Sequence, residues 1–542
     1  MSEKKYYLKQ NVMIEPLVNE WYAWPHLISP ATAAMNIANS HLNIMRSYLM
    51  SPEVHAAAVK NPAMRGGPFI DLENKRAGEI KTLLDRTLAE QAHMLEFAEA
   101  LKALNELLLS EAKGYGLEEL YAKVPEVLKG YVELVYDLNN NPSFRLIEGL
   151  LYRSPYYSRA AQSIALSLVS DDRRPFVFST PRLKQEGRVH LRVPFDDPRI
   201  DELFRMREAP QSFEYVKALM GFGDEEDELF KTFLTEEKPA TAPACGGDEP
   251  RVRYFGHACV LMETKGVSIL TDPLLSYKFE GQSPRLTYAD LPEVIDYVLI
   301  THSHSDHILL EPLLQLRHKI RIIVVPRSGG GSLEDPSLKL LLENVGFENV
   351  IEIDEMQSIP VAGGSITGLP FLGEHADLNI RSKTAYLVRL GGGSMLCAAD
   401  SANLEPRLYE RIHEVTGDVD TLFIGMECEG APLTWVYGSL LTRPLNRRMD
   451  QSRRLSGSGY EKGIGLVSQF NCKQVYVYAM GEEPWLNHIT SIIYTEQSKA
   501  IVESKKLVEE CQRRGIVAEK LFGTKDIPPA VAAPAEAVLS AT

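Results

Sequence analysis

LITHSHSDH, residues 299–307, is where the reading of this chain begins. Tyr297 and Val298 with Leu299 and Ile300 form an apolar, β-branched run of the kind that makes a buried strand. The chain then leaves the strand and sets His302, His304, Asp306 and His307 on one turn. His302 and His304 are two residues apart, so in extended backbone they point to the same side. Asp306 and His307 follow the change of direction and face a second point. A polar turn with surface histidines is the alternative, but no structural need calls for three imidazoles and a carboxylate at a strand end. The H-x-H-x-D-H cluster reads as half of a two-metal site.

The remaining ligands are sought at other strand ends. Glu374 sits in PFLGEHADL after Ile366, Leu369 and Phe371. Asp400 ends SMLCAAD, directly after a buried-strand pattern, and His488 follows Val475, Tyr476, Val477 and Tyr478 in EEPWLNHI. Each is a ligand-type residue in a loop that follows a strand.

This set resembles the metallo-β-lactamase superfamily over roughly residues 251–528. RYFGHACVLMET (Arg253 to Thr264) looks like the opening strand pair of that fold, and Asp272 in SILTDPLL matches its structural aspartate. The resemblance implies an α/β fold, an αββα sandwich with metals at one edge, and makes Asp400 the bridging aspartate and His488 the last histidine. There is one departure: Glu374, followed by His375, stands where most hydrolases of the superfamily have histidine. With Glu374 as ligand, the first metal takes His302, His304 and Glu374. The second takes Asp306, His307 and His488, and Asp400 bridges. Two histidines and a carboxylate suit both non-haem iron oxygenases and zinc hydrolases; the extra anionic oxygen favours iron.

More specifically, HSHSDH, Glu374 in GEHADL, Asp400 and the segment EPLVNEWYAWPHLISPATAAMN (Glu15 to Asn36) resemble the family of the di-iron β-hydroxylase of chloramphenicol biosynthesis. That resemblance implies a monooxygenase using two iron ions, O2 and an external electron donor, with Glu374 a catalytic ligand. Its substrate would be an aromatic amino acid tethered to a carrier-protein domain of a non-ribosomal peptide synthetase. The alternative is a binuclear zinc hydrolase acting on an ester, lactone, amide or phosphodiester.

Composition narrows the partners. The chain has 542 residues, 44% hydrophobic, and a formal net charge of −15, which argues against nucleic acid as partner. Its six cysteines include no C-x-x-C pair and read as reduced thiols. MSEKKYYLKQN has no apolar signal core, and no run is long enough to span a bilayer, so a cytoplasmic protein without a membrane partner is expected. The oligomeric state is open, a homodimer included.

Residues 1–237 read as a mostly helical amino-terminal domain. Ser29-Pro30 starts a helix over Ala31 to Leu49. Helical spacing from Ile80 to Leu108 predicts one long helix, and further helices are expected over residues 117–138, 143–152, 200–219 and 224–234. Residues 176–195 read as strands around a turn at Gly187. The histidines here (His26, His41, His55, His93, His190) are isolated and read as structural. Trp21, Tyr22 and Trp24 read as core or interface. KPATAPACGGDEP, residues 238–250, is the linker. The metal domain spans 251–525, and 526–542, rich in Pro and Ala, reads as a disordered tail.

The interval between Asp400 and His488 is long and contains Glu427 to Tyr460. Trp435 and Tyr437 there are candidates for an aromatic substrate pocket, with plain packing the alternative. Arg443, Arg447, Arg448, Arg453 and Arg454 form a basic run. It is either a solvated face or, at Arg447 and Arg448, a docking site for an acidic carrier protein or its pantetheine phosphate. His257 reads as supporting the site without ligating; His318 and His413 lie on predicted helices.

Overall fold

The computed structural model describes residues 4–73, 75–280 and 284–530. Two seven-stranded sheets face each other in the carboxy-terminal half. In the first, the spatial order is Val350–Ile353, Ile320–Pro326, Ile295–Leu299, Val267–Thr271, Cys259–Thr264, Arg251–Gly256 and Lys525–Ile527. In the second it is Ser358–Val361, Gly364–Leu369, Ala385–Leu390, Gly393–Cys397, Thr421–Gly425, Gln474–Tyr478 and Val517–Lys520. Each sheet joins an antiparallel part to a parallel part. The parallel strands carry near-continuous apolar runs because both their faces are covered. Between the sheets lie Tyr254, Val260, Ile269, Leu299, Tyr386, Val388, Phe423, Tyr476 and Tyr478 in one buried cluster. Helices Pro406–Thr416, Tyr460–Gln469 and Lys499–Arg513 cover the second sheet. Leu310–Leu316 and the amino-terminal half cover the first.

The amino-terminal half is helix-rich but also holds a four-stranded sheet, a three-stranded sheet and a hairpin. Proline at the first turn starts the helix Pro30–Asn36 as expected. It then passes through a π-helical turn, Ile37–His41, into Leu42–Met50. The long helix divides at Gln91 into Ala77–Glu90 and Ala92–Glu111, and Phe97, Leu101, Leu104 and Leu108 form its buried stripe.

Several expectations are overturned. Residues 117–138 and 143–152 are not two helices. They form short 3-10 turns and a hairpin, Val132–Tyr136 against Pro142–Leu146. Its turn is set by Asp137, whose carboxylate accepts the backbone N–H of Asn139 and Asn141, and by Asn140 in the left-handed region (φ 61°). Of residues 176–195, only Arg188–Leu191 is a strand. Residues 200–219 break between Arg199–Arg205 and Phe213–Met220, and 224–234 hold only the helix Asp227–Thr232 with a 3-10 turn before it. The tail is ordered through Ile527, because Lys525–Ile527 pairs with Tyr254–Val252; residues 531–542 lie outside the described residues.

A buried ion network joins the two halves. Arg174 donates to Glu15 (2.9 Å) and Glu311 (2.8 Å), Arg182 donates to Glu15 (2.9 Å), and Tyr22 and Tyr277 donate to Glu311 (both 2.8 Å). Burial by itself would raise the Glu15 pKa, but Arg182, Arg174 and Arg188 together hold it well below the carboxylate range. The amino-terminal half is thereby fixed over the edge of the sandwich where the histidine cluster lies.

Candidate metal centre

The first sheet's strand Ile295–Leu299 delivers Thr301 to His307 at its carboxy end, where a parallel strand releases its chain. Thr301 and Asp272 then orient the imidazoles. Asp272 accepts the Thr301 backbone N–H (2.8 Å) and hydroxyl (2.6 Å), and its Oδ2 lies 2.8 Å from His307 Nδ1. The Thr301 hydroxyl, having donated to Asp272, accepts from His302 Nδ1 at 3.0 Å. With protons on both Nδ1 atoms, His302 and His307 turn their Nε2 lone pairs inward. His304 is reversed: its Nε2 meets the Tyr437 hydroxyl at 3.1 Å and its Nδ1 faces Glu374 Oε1 at 2.5 Å.

The second sheet supplies the carboxylates. Glu374 follows Gly364–Leu369 in a loop whose Gly373, Glu374, Ala376 and Asp377 all have positive φ, 67° at Glu374. Such backbone persists only where neighbours hold it. Ser456 O accepts the Glu374 N–H, and Arg453 Nε donates to Ala376 O at 2.8 Å. Asp400 follows Gly393–Cys397 and lies across the end of the neighbouring strand, against Gly425, where a Cβ would collide with its Oδ1.

Three ligand groups result: His302, His304 and Glu374; His302, His307 and Asp400; and His257, Asp306 and His307. The first two groups share His302, and Asp400 Oδ2 lies 3.7 Å from His302 Nε2 and 3.0 Å from His307 Nε2. Glu374, not His375, enters a group; His375 Nδ1 faces Glu374 Oε2 at 2.6 Å. Burial disfavours the charge on His302, His304, Asp306, His307, Glu374 and Asp400. Burial, reinforced by His307, keeps the His302 pKa well below its usual value. Burial would also lower His307, but Asp400 and Asp272 outweigh it and raise the pKa well above normal. Burial would raise Glu374, but His304 and His375 draw it well down. His302 Nε2, His307 Nε2, Glu374 Oε2 and Asp400 Oδ1 are buried, and none makes a well-directed hydrogen bond, the close approaches of His307 to Asp400 and of His375 to Glu374 included. Buried ligand atoms of this kind, N and O donors converging from two sheets, fit a pair of metal ions.

The structure therefore brings together His302, His304, Asp306, His307, Glu374 and Asp400. His488 enters none of the three groups, although both its ring nitrogens are buried without a hydrogen-bond partner. Its backbone carbonyl is held by the Val177 N–H (2.9 Å), and its ring packs edge-on to Tyr22 at 6.5 Å. Burial, together with Arg174 and Arg182, keeps it neutral. The residues after it, Ile489, Thr490 and Ile492, line the metal cavity instead. Beside Asp306 and His307 stands His257, on a loop with φ 51°. Its Nδ1 accepts the Gly481 N–H at 3.2 Å, which puts the proton of the neutral ring on Nε2, 3.4 Å from Asp306 Oδ2. His257 thus presents a donor to Asp306 rather than a lone pair to a metal. Glu483, accepting the Tyr254 hydroxyl and the His257 N–H, anchors that loop.

Of the two aromatic candidates, Trp435 lines the metal cavity, of about 170 Å³. Tyr437 is not among the residues lining it, and its hydroxyl lies 3.1 Å from His304 Nε2. In the basic run, Arg443 pairs with Glu106, and Arg453 and Arg454 bind backbone carbonyls. Arg447 and Arg448 project from the exposed helix Arg447–Ser452. Sequence reasoning missed Glu427, which lines the cavity, and gave Thr301 no role; Glu427 had no histidine beside it to signal it.

Comparison with known proteins agrees with this geometry. Residues 7–239 match the diiron non-heme β-hydroxylase N-terminal domain, and residues 251–428 the β-lactamase superfamily domain. The chain is 40% identical over 525 residues to the 4-amino-L-phenylalanyl-[CmlP-peptidyl-carrier-protein] 3-hydroxylase of Streptomyces venezuelae, covering 95% of this chain and 98% of that one. The chain belongs to the diiron non-heme β-hydroxylases. The crystal structure of CmlA, a diiron β-hydroxylase from the same organism, superposes on this β-hydroxylase with a TM-score of 0.91 at 38% identity, covering 97% of this chain and 100% of that chain. A UPF0173 metal-dependent hydrolase of Methanopyrus kandleri shares 30% identity over only 122 residues, 22% of this chain and 46% of its own. As a diiron hydroxylase the protein is an O2-dependent oxygenase with two iron ions. No described helix is long and apolar enough to cross a membrane.

Proposed function

We propose that this chain β-hydroxylates an aromatic aminoacyl group carried as a thioester on a peptide-synthetase carrier domain, in the biosynthesis of a natural product of the antibiotic class. The observation that carries the reading is Glu374 completing the His302–His304 group in a chain 40% identical, nearly end to end, to a hydroxylase acting on a carrier-bound phenylalanine derivative. His302, His304, Glu374 and the shared Asp400 would hold one iron, and Asp306, His307 and Asp400 the other. The two ions, when bound, supply reductive activation of O2. In the balanced reaction one Cβ–H becomes C–OH, the second oxygen leaves as water, and an external donor provides two electrons with two protons.

The chain's own residues bind, orient and exclude water. Thr301, Asp272 and Tyr437 fix the imidazoles, so no ligand rotates when the substrate enters. Ala431, Val436, Leu455, Ile489 and Ile492 make an apolar wall that suits an aromatic side chain. Ser305, Trp435 and Val436 also line a second cavity, of about 370 Å³, walled by Trp24, Phe176 and Phe178 of the amino-terminal half. The pair of cavities offers a path for a pantetheine arm, and Arg447 and Arg448 an exposed surface for an acidic carrier. A tethered substrate reaches the site at high effective concentration without tight pocket binding. A cytoplasmic setting suits six unpaired cysteines.

The test is mass spectrometry of matched reactions with reductant and O2, using aminoacyl-loaded carrier and the free amino acid. Gain of one oxygen on the loaded carrier alone is expected. Equal hydroxylation of the free amino acid, or thioester hydrolysis without oxygen incorporation, would overturn the reading.

A further inference from the structure

The metal cavity contains one carboxylate that the ligand groups do not use. Glu427 lies two residues beyond the strand Thr421–Gly425, next to the strand that presents Asp400, and its backbone carbonyl is held by the Gly457 N–H at 2.8 Å. It lines the same cavity as His304, Asp306, Glu374 and Asp400 but belongs to none of the three groups. Among the described residues, nothing donates a hydrogen bond to its carboxylate, and no lysine or arginine lines the cavity.

The chemistry of the substrate class supplies the missing partner, and the argument rests on the function proposed above. A thioester-linked aminoacyl group has given up its carboxylate but keeps its α-ammonium. The reacting Cβ is two bonds from that nitrogen. Whenever Cβ faces the metals, the ammonium is therefore inside this cavity, and a cation there without an anionic acceptor is strongly disfavoured. Asp306, Glu374 and Asp400 are committed to metal, so their charge is offset. We propose that Glu427 receives the α-ammonium of the tethered aminoacyl group. Three points then fix the substrate: the pantetheine arm, the aromatic ring on the apolar wall, and the ammonium on Glu427. Three points suffice to select one of the two Cβ hydrogens, so Glu427 is also a determinant of stereochemistry.

Glu427→Gln keeps the shape and removes the charge; Glu427→Asp keeps the charge on a shorter reach. The probes are carrier domains bearing amide-linked phenylalanyl or 3-phenylpropionyl pantetheine, which differ only in the amino group. Their dissociation constants are measured on iron-loaded enzyme without O2, with iron content and resting optical spectrum recorded. Wild type is expected to favour the phenylalanyl carrier by about tenfold to a hundredfold, as for a hydrogen bond between charged groups. Glu427→Gln should abolish that preference while leaving phenylpropionyl binding, iron content and spectrum unchanged, and Glu427→Asp should restore part of it. A preference retained in Glu427→Gln, or iron loss or a changed resting spectrum in that variant, would overturn the assignment. Hydroxylation of thioester-linked phenylalanyl carrier by wild type is scored alongside. No preference in wild type with hydroxylation intact overturns this inference alone; no oxygen incorporation overturns the reading beneath it, and this inference with it.

Discussion

Asp272→Asn isolates the device that sets the tautomer of a metal-facing histidine. Asp272 is fully buried, and its carboxylate takes both the Thr301 N–H and hydroxyl and faces His307 Nδ1. Position 272 has φ 32°, a region that asparagine tolerates, so backbone strain stays nearly constant. Asparagine can still accept the Thr301 N–H through its oxygen. Its amide nitrogen then meets the Thr301 hydroxyl and His307 Nδ1, and one of those contacts becomes donor against donor, a loss of about 1–3 kcal/mol. The ring can relieve it only by moving its proton to Nε2, the atom aimed at Asp400 3.0 Å away. Loss of such a supporting partner lowers metal affinity about 10- to 100-fold, roughly 1.4–2.8 kcal/mol. The loss should fall mainly on the metal held by Asp306, His307 and Asp400, because of these ligands only His307 touches Asp272 directly, whereas His302 reaches it through Thr301 and His304 and Glu374 do not reach it. Chelator competition followed by iron analysis should show one iron leaving early and the other at the wild-type midpoint. Two irons retained at wild-type chelator midpoints would refute the tautomer argument.

Three other outcomes are expected. Glu374→His should leave metal bound while oxygen incorporation falls at least tenfold, because the anionic ligand is gone; undiminished hydroxylation by mass spectrometry would contradict this. Reversal of Arg447 and Arg448 to Glu should weaken binding of an acidic carrier, most visibly at low salt, with iron content unchanged; equal binding across a salt series would reduce the pair to a solvated face. Burial lifts the Glu148 carboxyl, which accepts the Ser337 N–H across the two halves, from 4.5 to about 7. Its protonated form favours folding, so this stability is complete below pH 4.5 and is lost as pH rises through 7, to the extent of about 3 kcal/mol. Glu148→Gln should therefore raise the unfolding midpoint at pH 8 and have little effect at pH 5, by thermal or urea unfolding.

The sequence by itself determined what depends on local spacing. The alternation in LITHSHSDH puts His302 and His304 on one side of an extended segment whatever surrounds it, and a carboxylate after a buried-strand pattern, as at Glu374 and Asp400, marks a loop at a sheet edge. Resemblance extended that to the sandwich, the metal pair and the reaction. Tertiary structure decided what depends on the path of loops. His488 follows a strand as legibly as Asp400 does, yet it enters none of the three ligand groups and its ring packs edge-on to Tyr22, and only the folded chain brings His257 to Asp306. Tyr437 lies 133 residues from His304, and no periodicity relates them. The hairpin at 132–146 read as helix because Val132, Leu134 and Leu146 suit either period, and Asp137 with its asparagine turn arbitrated. Glu427 carried no motif at all. Its meaning comes from the cavity it shares with the metal ligands, and a cavity is made by strand ends that meet only when both sheets have packed.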